Sequence, residues 1–406
     1  MTYAAIAEIA HRTPAEWQWL PLKRVVTLRR EPNSQADAVL LSLSASRGVE
    51  PRPEDGGRQL PAEETVSSYW RVHVGDLVFN PMWALEGGVA VSDMAGAVSP
   101  AYRVYELLRT TYGRFLHHWM RSKIALDQYR LLTRGITTFD RAVGREDLEG
   151  MPFPLPPLDE QRAIADFLDA ETGRLDQLIE KHRRMTQLLE ARLAPVAHAL
   201  TTGSGGPRVA LRRLVRQVKT GTTPPADVLE GLMDGDLPWY SPGDVEDSLR
   251  LGRPERRLQL DAVESGWVPL FPADSTLIVG IGATSGRVAH LEHEATGNQQ
   301  MTCIVPGSRL LPRFLSWQLF ARSDEIRATA PFSTMPILTN DFLRSLSIVV
   351  PSPEHQAQAV DRLNGQAAVT RDLVALIRRM VDLLLERRTA LITAAVAGQL
   401  ALPTGV

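Results

Sequence analysis

The sequence predicts an α+β fold: two globular α/β domains joined by two long helices, the whole built as an internal repeat. Three observations carry this. First, residues 156–203 read as one long helix. Its apolar residues Ile164, Leu168, Leu175, Leu178, Met185 and Leu189 recur at steps of four and three, with Glu171 and His182 in the two polar gaps. Such a seam argues for a coiled coil and needs a second helix to cover it. Second, residues 351–400 repeat the pattern 195 residues downstream, pairing Gln161 with Gln356, Leu168 with Leu363, Leu178 with Leu373, Met185 with Met380, Leu189 with Leu384 and Gly203 with Gly398. A register held over about 40 positions marks an internal repeat, so the chain supplies its own second helix. Third, the segments ahead of the two helices share a frame. LRRLV at 211–215 echoes LKRVV at 22–26, and STLIVGIGATSGRVA echoes DLVFNPMWALEGGVA.

The bulk numbers suit this plan. A chain of 406 residues has room for about two to three domains. With 44% apolar and 23% charged residues it has the composition of a soluble globular protein. A net charge of −2 gives no hint of nucleic acid. The basic residues are almost all arginine, Lys23, Lys123, Lys181 and Lys219 being the only lysines. Arginine is the better fork for phosphates and guanine edges, although a GC-rich genome gives the same bias. The single cysteine, Cys303, argues against a disulfide framework or a cysteine-based zinc site. The start MTYAAIAEIAHRTP has no long apolar core, and no run of 18 apolar residues occurs. A cytoplasmic chain without membrane contact is expected.

Taken in order, the first domain opens at Trp17. Short β-type runs follow at 38–43, 70–74 and 76–79, around a Pro/Gly/Glu-rich loop at 49–64 that reads as exposed. NPMWALEGGVAVS reads as strand, glycine loop and strand, and AYRVYEL as a further strand. Residues 113–129 read as one helix with Phe115, Leu116, Trp119, Met120 and Ile124 on one face. MPFPLPP alternates apolar residues with proline, as an edge strand does. The long helix then runs to Gly203, a glycine stop, and SGGP forms a linker. The second domain replays the first with different inserts: RGVEPRPEDGGRQ has no counterpart downstream, and GTTPPADVLEGLMDGDLPWYSPGDVED has none upstream. A duplicated frame with divergent loops does one job twice and two jobs once each, since recognition usually lives in loops.

Catalytic signals are weak. Asn80-Pro81-Met82-Trp83 resembles the N-P-P-[YFW] element of amino-methyltransferases, but its third position is Met and no strand–GxG–helix cofactor site precedes it. The Gly280–Gly286 run is followed by strand-like RVAHL rather than a helix, so it reads as a tight turn and not a phosphate cradle. His117 and His118 are adjacent on a helix and point about 100° apart, which suits no shared metal. Asp159 and Glu160 sit at a helix start, where the dipole favours acids. No catalytic residues and no metal site are expected. Polar and aromatic readers stand out more. Arg47, Arg134, Thr137 and Thr138 lie in loops of the first half, and Ser285, Arg287, Asn298, Gln299, Ser333 and Thr334 in those of the second. Arg, Asn and Gln are the residue types that read base edges in pairs of hydrogen bonds. Trp83, Tyr102, Trp239 and Tyr240 are candidates for packing on sugars or bases.

With both helices and both variable segments in view, the chain resembles the DNA-specificity subunit of type I restriction–modification enzymes. The residues that carry the likeness are Pro156-Pro157-Leu158-Asp159-Glu160-Gln161 with Ile164 and Leu168, then Leu175-Asp176-Gln177-Leu178-Ile179, and Leu385-Glu386-Arg387-Arg388 with Leu391, Ile392, Ala397 and Gly398. The resemblance implies target recognition domains at 1–155 and 206–350, each reading one half of a bipartite, asymmetric site in double-stranded DNA. It implies spacer helices at 156–205 and 351–406, paired as an antiparallel coiled coil about a pseudo-two-fold axis. Gln161, Ile164, Leu168, Leu178, Met185, Leu189, Gln356, Leu363, Leu373, Met380 and Leu384 would form the spacer and dock two DNA methyltransferase subunits. Two motor–nuclease subunits would complete the complex. No cofactor is expected on this chain; S-adenosylmethionine, Mg2+ and ATP belong to the other subunits. His355 replaces the family's usual Glu at the second helix start, and Ala359 and Arg362 replace the pair Ile164 and Phe167. A stand-alone adenine amino-methyltransferase, marked by S-adenosylmethionine binding, and a scaffold that never touches DNA are the alternatives.

Overall fold

The computed structural model describes residues 13–35, 37–45, 47–52, 68–134, 141–203, 205–246, 248–331 and 336–400. The chain divides into two compact units, Met1–Lys181 with Met380–Val406, and His182–Arg379.

In the first unit, Val26–Arg29, Arg103–Leu107, Leu77–Phe79 and Val89–Val91 form a four-stranded antiparallel sheet in that order. Its central strand Leu-Val-Phe is buried on both faces. Successive side chains of a strand point to opposite faces. Leu77, Phe79 and Val89 therefore enter one core with Phe115, Trp119 and Phe153, while Val78, Ala90 and Val104 enter another with Leu41, Val72 and Val98. The first core is covered by helices. Trp119 meets Phe153 edge to face at 5.0 Å, and Phe115 meets Phe153 at 6.0 Å. Such pairs add about 0.5–1.5 kcal/mol each beyond area burial. The second core is covered by a hairpin, Leu41–Ser44 with Gly48–Pro51, and by a second antiparallel pair, Trp70–Val72 with Gly96–Val98. Gln18–Pro21 pairs with Pro152–Leu155 in a separate two-stranded ribbon.

The sequence implied one helix over 113–129; two form, Gly113–Met120 and Lys123–Leu132. Ser122 caps the second, its Oγ accepting from the Ala125 amide at 3.3 Å, which offers the backbone an alternative to continuing the first. Most of the 49–64 loop lies outside the described residues.

The second unit uses the same strand order: Val215–Thr220, Met301–Pro306, Ser275–Val279 and Val288–Leu291. Alternation again feeds two cores. Ile278, Val288 and Ile304 join Phe314, Leu315 and Trp317, while Leu277, Val279, Ala289 and Cys303 join Val245 and Phe271. A third, smaller cluster of Trp239, Leu258, Ala262 and Val268 belongs to the long insert, where Met233–Tyr240 pairs with Arg256–Leu258 and Thr296–Gly297.

Each unit holds one buried glutamine in the same role. Gln161, fully buried, accepts from the Tyr112 amide at 2.7 Å through Oε1 and donates through Nε2 to the Thr110 and Pro156 carbonyls at 3.0 and 2.9 Å. Gln356 accepts from the Leu311 amide at 2.8 Å and donates to the Arg309 and Pro351 carbonyls, both at 3.1 Å. Tyr112 and Leu311 are the N-caps of Gly113–Met120 and Pro312–Phe320, helices whose first amides have no intrahelical acceptor. A primary amide, with one acceptor and two donor hydrogens, meets all three needs at once.

The long helices are Leu158–Ala191 and Pro353–Val396. The first stops short of Gly203: the chain breaks at Arg192 and resumes as Leu193–Thr202. Pro195 explains the break, since it has no N–H for the Ala191 carbonyl but is tolerated in a helix's first turn. In the first unit Ile164, Ala165 and Leu168 share a core with Ile392, Ala395 and Val396, and Arg388 pairs with Asp176 at 2.9 Å. In the second, Leu193 and Ala197 share a core with Ala359, Leu363 and Ala367, and Arg378 pairs with Glu190 at 3.1 Å. The expected seam needs correction. Leu175, Ile179, Val374 and Ile377 are buried, whereas Leu178, Met185, Leu373 and Met380 are 42%, 46%, 43% and 41% exposed. LDQLIE and LVALI each place apolar residues on neighbouring faces, so spacing did not decide which turns inward; Leu189 and Leu384 are half-buried.

Two outcomes follow. Gln161→Ala strands a buried amide and should cost about 1–3 kcal/mol. Hydrogen exchange should rise around residues 110–120 and stay unchanged around 309–320; a uniform rise would contradict a local clasp. The second concerns pH. Burial pushes the His290 imidazole down to about 4, while its Nδ1 lies 3.0 Å from Ser316 Oγ. An unfolded imidazole takes its proton near 6.5. The unfolded chain therefore binds more protons between those values, and stability should fall as pH drops from 6.5 towards 4. Denaturant midpoints of the wild type and His290→Gln should converge across that window.

Candidate nucleic-acid interface

The loops that carry most candidate residues emerge at one end of each four-stranded sheet. In the first unit this end is set by the register Phe79↔Arg103, Phe79↔Val89 and Arg29↔Val104. Above it stands the turn 80–88. Gly88 donates to the Trp83 carbonyl at 2.7 Å, and a Cβ on Gly88 would lie 2.6 Å from that oxygen, so only glycine permits the close approach. The turn lifts Met82 and Trp83 to 44% and 59% exposure. Asn80 spends its Oδ1 on the Met82 amide at 3.1 Å. That bond braces the turn.

Tyr102, half-buried, lies at the same sheet end and lines a cleft of about 200 Å³ with Trp70, Arg29, Arg30, Arg103 and Arg145. Arg29 is held by Glu106 at 3.1 Å and Asp76 at 3.3 Å, Arg103 donates to the Val143 carbonyl at 3.0 Å, and Arg145 reaches Glu149 at 2.7 Å. Arg30 is exposed and makes no ion pair or side-chain hydrogen bond among the described residues. Arg47 stands on the 41–51 hairpin, its Nη2 3.0 Å from Glu50. Arg134 pairs through its backbone with Ala142; its side chain, and Thr137 and Thr138, lie outside the described residues.

Arg121 is the residue that sequence reasoning missed. Its guanidinium donates to the carbonyls of Ser44, Ala45, Gly87 and Val89, at 2.9 Å for Val89. It thus ties the hairpin bearing Arg47 to the turn bearing Trp83. Burial holds its pKa below the ordinary arginine value. The available signal was a cation just past the last turn of a helix, where the dipole favours one.

In the second unit the corresponding end gathers Gly221–Thr223, the turn Gly280–Arg287 and Asn298–Gln300. Gly221 donates to Met301 at 2.8 Å, Thr222 to Gly297 at 3.0 Å, and Gly280 to Gln300 at 2.7 Å. Asn298 Oδ1 accepts from the Gln300 amide at 3.0 Å, and exposed Gln299 accepts from the Thr223 hydroxyl. Arg287 is exposed and donates to the Val245 carbonyl at 3.3 Å. Two candidates are corrected. Ser285 is 3% exposed, so its hydroxyl faces the interior. Trp239 is 7% exposed, packed in the insert's own cluster, with Arg256 over its ring at 5.6 Å. So little of the ring is exposed that stacking on a base would require unpacking that cluster. Tyr240 is half-buried, and Ser333 and Thr334 lie outside the described residues.

Burial pushes the Cys303 thiol up to about 11, and it donates to Ser275 Oγ at 3.2 Å. Among the described residues, no three His, Cys, Asp or Glu side chains are grouped to hold a metal ion, and no helix is long and apolar enough to cross a membrane.

Each unit is thus an α+β domain: a four-stranded antiparallel sheet with one face under helices, the other under an insert, and polar loops at one end. Residues 215–373 match the family model described as the type I restriction modification DNA specificity domain. The chain is 28% identical over 146 residues to the type I restriction enzyme MjaIX specificity subunit of Methanocaldococcus jannaschii, covering 35% of this chain and 33% of the relative. It is 26% identical over 168 residues to the EcoR124I/EcoR124II specificity subunit of Escherichia coli, covering 40% and 41%. The matches thus span a third to two fifths of those relatives. Among solved structures, a chain from a study of assembly and conformational transition of the type I R–M system superposes with a TM-score of 0.74 at 17% identity, over 96% of this chain and 100% of that one. The HsdS subunit from Thermoanaerobacter tengcongensis gives 0.50 at 19% identity, over 96% and 98%. These findings bear out the resemblance to type I specificity subunits, and the fold is theirs.

Trp83→Ala tests the first loop cluster. An exposed side chain should change stability by no more than about 0.5 kcal/mol. If the ring packs on a sugar or an unstacked base, as its residue type suggested, its loss should weaken nucleic-acid binding about 5- to 100-fold. An unchanged affinity in the assembled complex would remove Trp83 from the interface.

Proposed function

We propose that this chain is the DNA-recognition subunit of a type I restriction–modification complex. The lobes at 1–155 and 206–350 each read one half of a bipartite, asymmetric duplex site. The observation that carries this is the repeated sheet whose same end opens onto unlike loops: an exposed tryptophan turn and arginine-lined cleft in one unit, an Arg/Asn/Gln cluster in the other. The same frame twice gives two heads of one kind, and different loops give two different half-sites.

The helices at 156–205 and 351–406 act as an antiparallel coiled coil that sets the gap, about a pseudo-two-fold axis. Support comes from inside each unit. Ile164 and Leu168 share a core with Ile392 and Val396 while Asp176 pairs with Arg388. Separately, Glu190 pairs with Arg378 while Leu193 and Ala197 share a core with Ala359 and Leu363, so within each unit rising numbers on one helix meet falling numbers on the other. The 34 residues of Leu158–Ala191 rise about 51 Å, more than one DNA repeat of about 34–36 Å. Leu178, Met185, Leu373 and Met380, exposed on those helices, suit the docking of two methyltransferase subunits, with two motor–nuclease subunits completing a cytoplasmic complex. Ile164 and its counterpart Ala359 are both buried in their own units, so that substitution leaves the docking surface alone. In this reading the chain catalyses nothing; S-adenosylmethionine, Mg2+ and ATP sit on the other subunits. Near-neutral charge points to weak DNA affinity for the isolated chain.

Mapping methylated adenines in cells that express this chain with its methyltransferase should reveal one split sequence motif. Methylation without a motif would sink the proposal. Seven residues inserted into the first helix near Arg183 should widen the gap by about 10 Å, roughly three base pairs, with both half-sites kept. A changed half-site would mean the helices are no ruler.

A further inference from the structure

We infer a second kind of DNA contact, made to the phosphodiester backbone from the second long helix; it rests on the DNA-recognition reading above. In the unit His182–Arg379, a cleft of about 440 Å³ is lined by Arg250, Arg287, Arg371, Arg378, Glu190 and Glu246 among others. Two of the four guanidinium groups are compensated. Glu190 holds Arg378 at 3.1 Å, and Glu246 approaches Arg250 at 3.8 Å. The other two are not. Arg287 donates only to the Val245 carbonyl, and Arg371 has no hydrogen bond or ion pair among the described residues. Two unneutralised positive charges therefore face one opening.

The arginines come from two kinds of element. Arg250 and Arg287 belong to the variable lobe; Arg371 and Arg378 lie two turns apart on Pro353–Val396, and so on one face of it. The cleft thus sits between a reading loop and the spacer helix. Arg287 and the helix arginines line one opening, so a single stretch of backbone can meet both. Arginine forks take phosphate oxygens through two charge-assisted hydrogen bonds, and such contacts fix register without reading sequence. The cleft contains no exposed aromatic that would stack on a base; its helix-borne lining includes Thr370, Val374 and Ala375. Phosphate is the ligand this chemistry fits. The long helix then does more than carry its lobe: it grips the DNA backbone beside the half-site that the lobe reads.

The test uses the complex assembled with its methyltransferase subunit and a duplex carrying its mapped site. Affinity is measured from about 50 to 200 mM salt. Arg371→Gln should weaken binding several-fold at low salt and make the log–log salt slope shallower by about 0.9, the value of one phosphate contact. The methylated motif should stay the same. Arg379→Gln, on the same helix but outside the cleft, should leave the slope unchanged. An unaltered slope for Arg371→Gln, or an equal loss for Arg379→Gln, overturns the inference while leaving DNA recognition intact. A wild-type complex that does not prefer its mapped site over a scrambled duplex overturns both.

Discussion

A primary amide buried where the chain enters each long helix joins three pieces of backbone that would otherwise part. Gln161 and Gln356 each accept from the capping amide of a neighbouring helix and donate to two carbonyls, one in the preceding loop and one at the long helix's own start. Buried polar groups left unmade are expensive, and no apolar side chain could satisfy all three. The rest of each unit depends on this clasp. It fixes where the long helix leaves its lobe, and that exit angle decides where the lobe's loops stand relative to its own helix. Pro156 and Pro351, just ahead of each clasp, stiffen the same exit.

From that fixed point, sheet geometry does the rest. The two faces of each four-stranded sheet are both buried, one under helices and the other under the variable insert. The helical face is alike in the two units because it must meet a long helix that is alike. The other face is free to differ: in the first unit it carries a hairpin and a second antiparallel strand pair, in the second a three-stranded insert with its own core. The insert can change on one side of a sheet without disturbing the packing of the long helix on the other. Arg121 shows how closely the variable side is tied down, since one guanidinium binds four carbonyls from two loops.

Much of the frame was legible in the sequence, because repetition is a strong signal. The shift that aligns Gln161 with Gln356 also aligns Asp169 with Asn364, and these accept from His118 and Trp317 respectively, at 2.8 and 3.1 Å. The strand runs 77–79 and 275–279 were readable as apolar stretches bounded by turns. Site residues were less legible. An exposed and a buried tryptophan look the same in a sequence: Trp83 stands out from a glycine-closed turn, while Trp239 is the centre of a small core. Ser285 sits in a glycine-rich turn that suggests exposure, yet its hydroxyl is covered.

The sequence by itself determined the duplicated plan, the two long helices and the strands of the frame. These follow from local periodicity and from like segments folding alike. Only the tertiary structure decided which apolar face of each helix turns inward, because Leu178 and Ile179, or Leu373 and Val374, are equally apolar neighbours and the choice depends on what packs against them. It likewise decided which arginines are neutralised and which face an opening, since charge pairing joins residues as distant in sequence as Glu190 and Arg378. Periodicity is a property of a few turns of chain; exposure and ion pairing are properties of the whole surface it folds into.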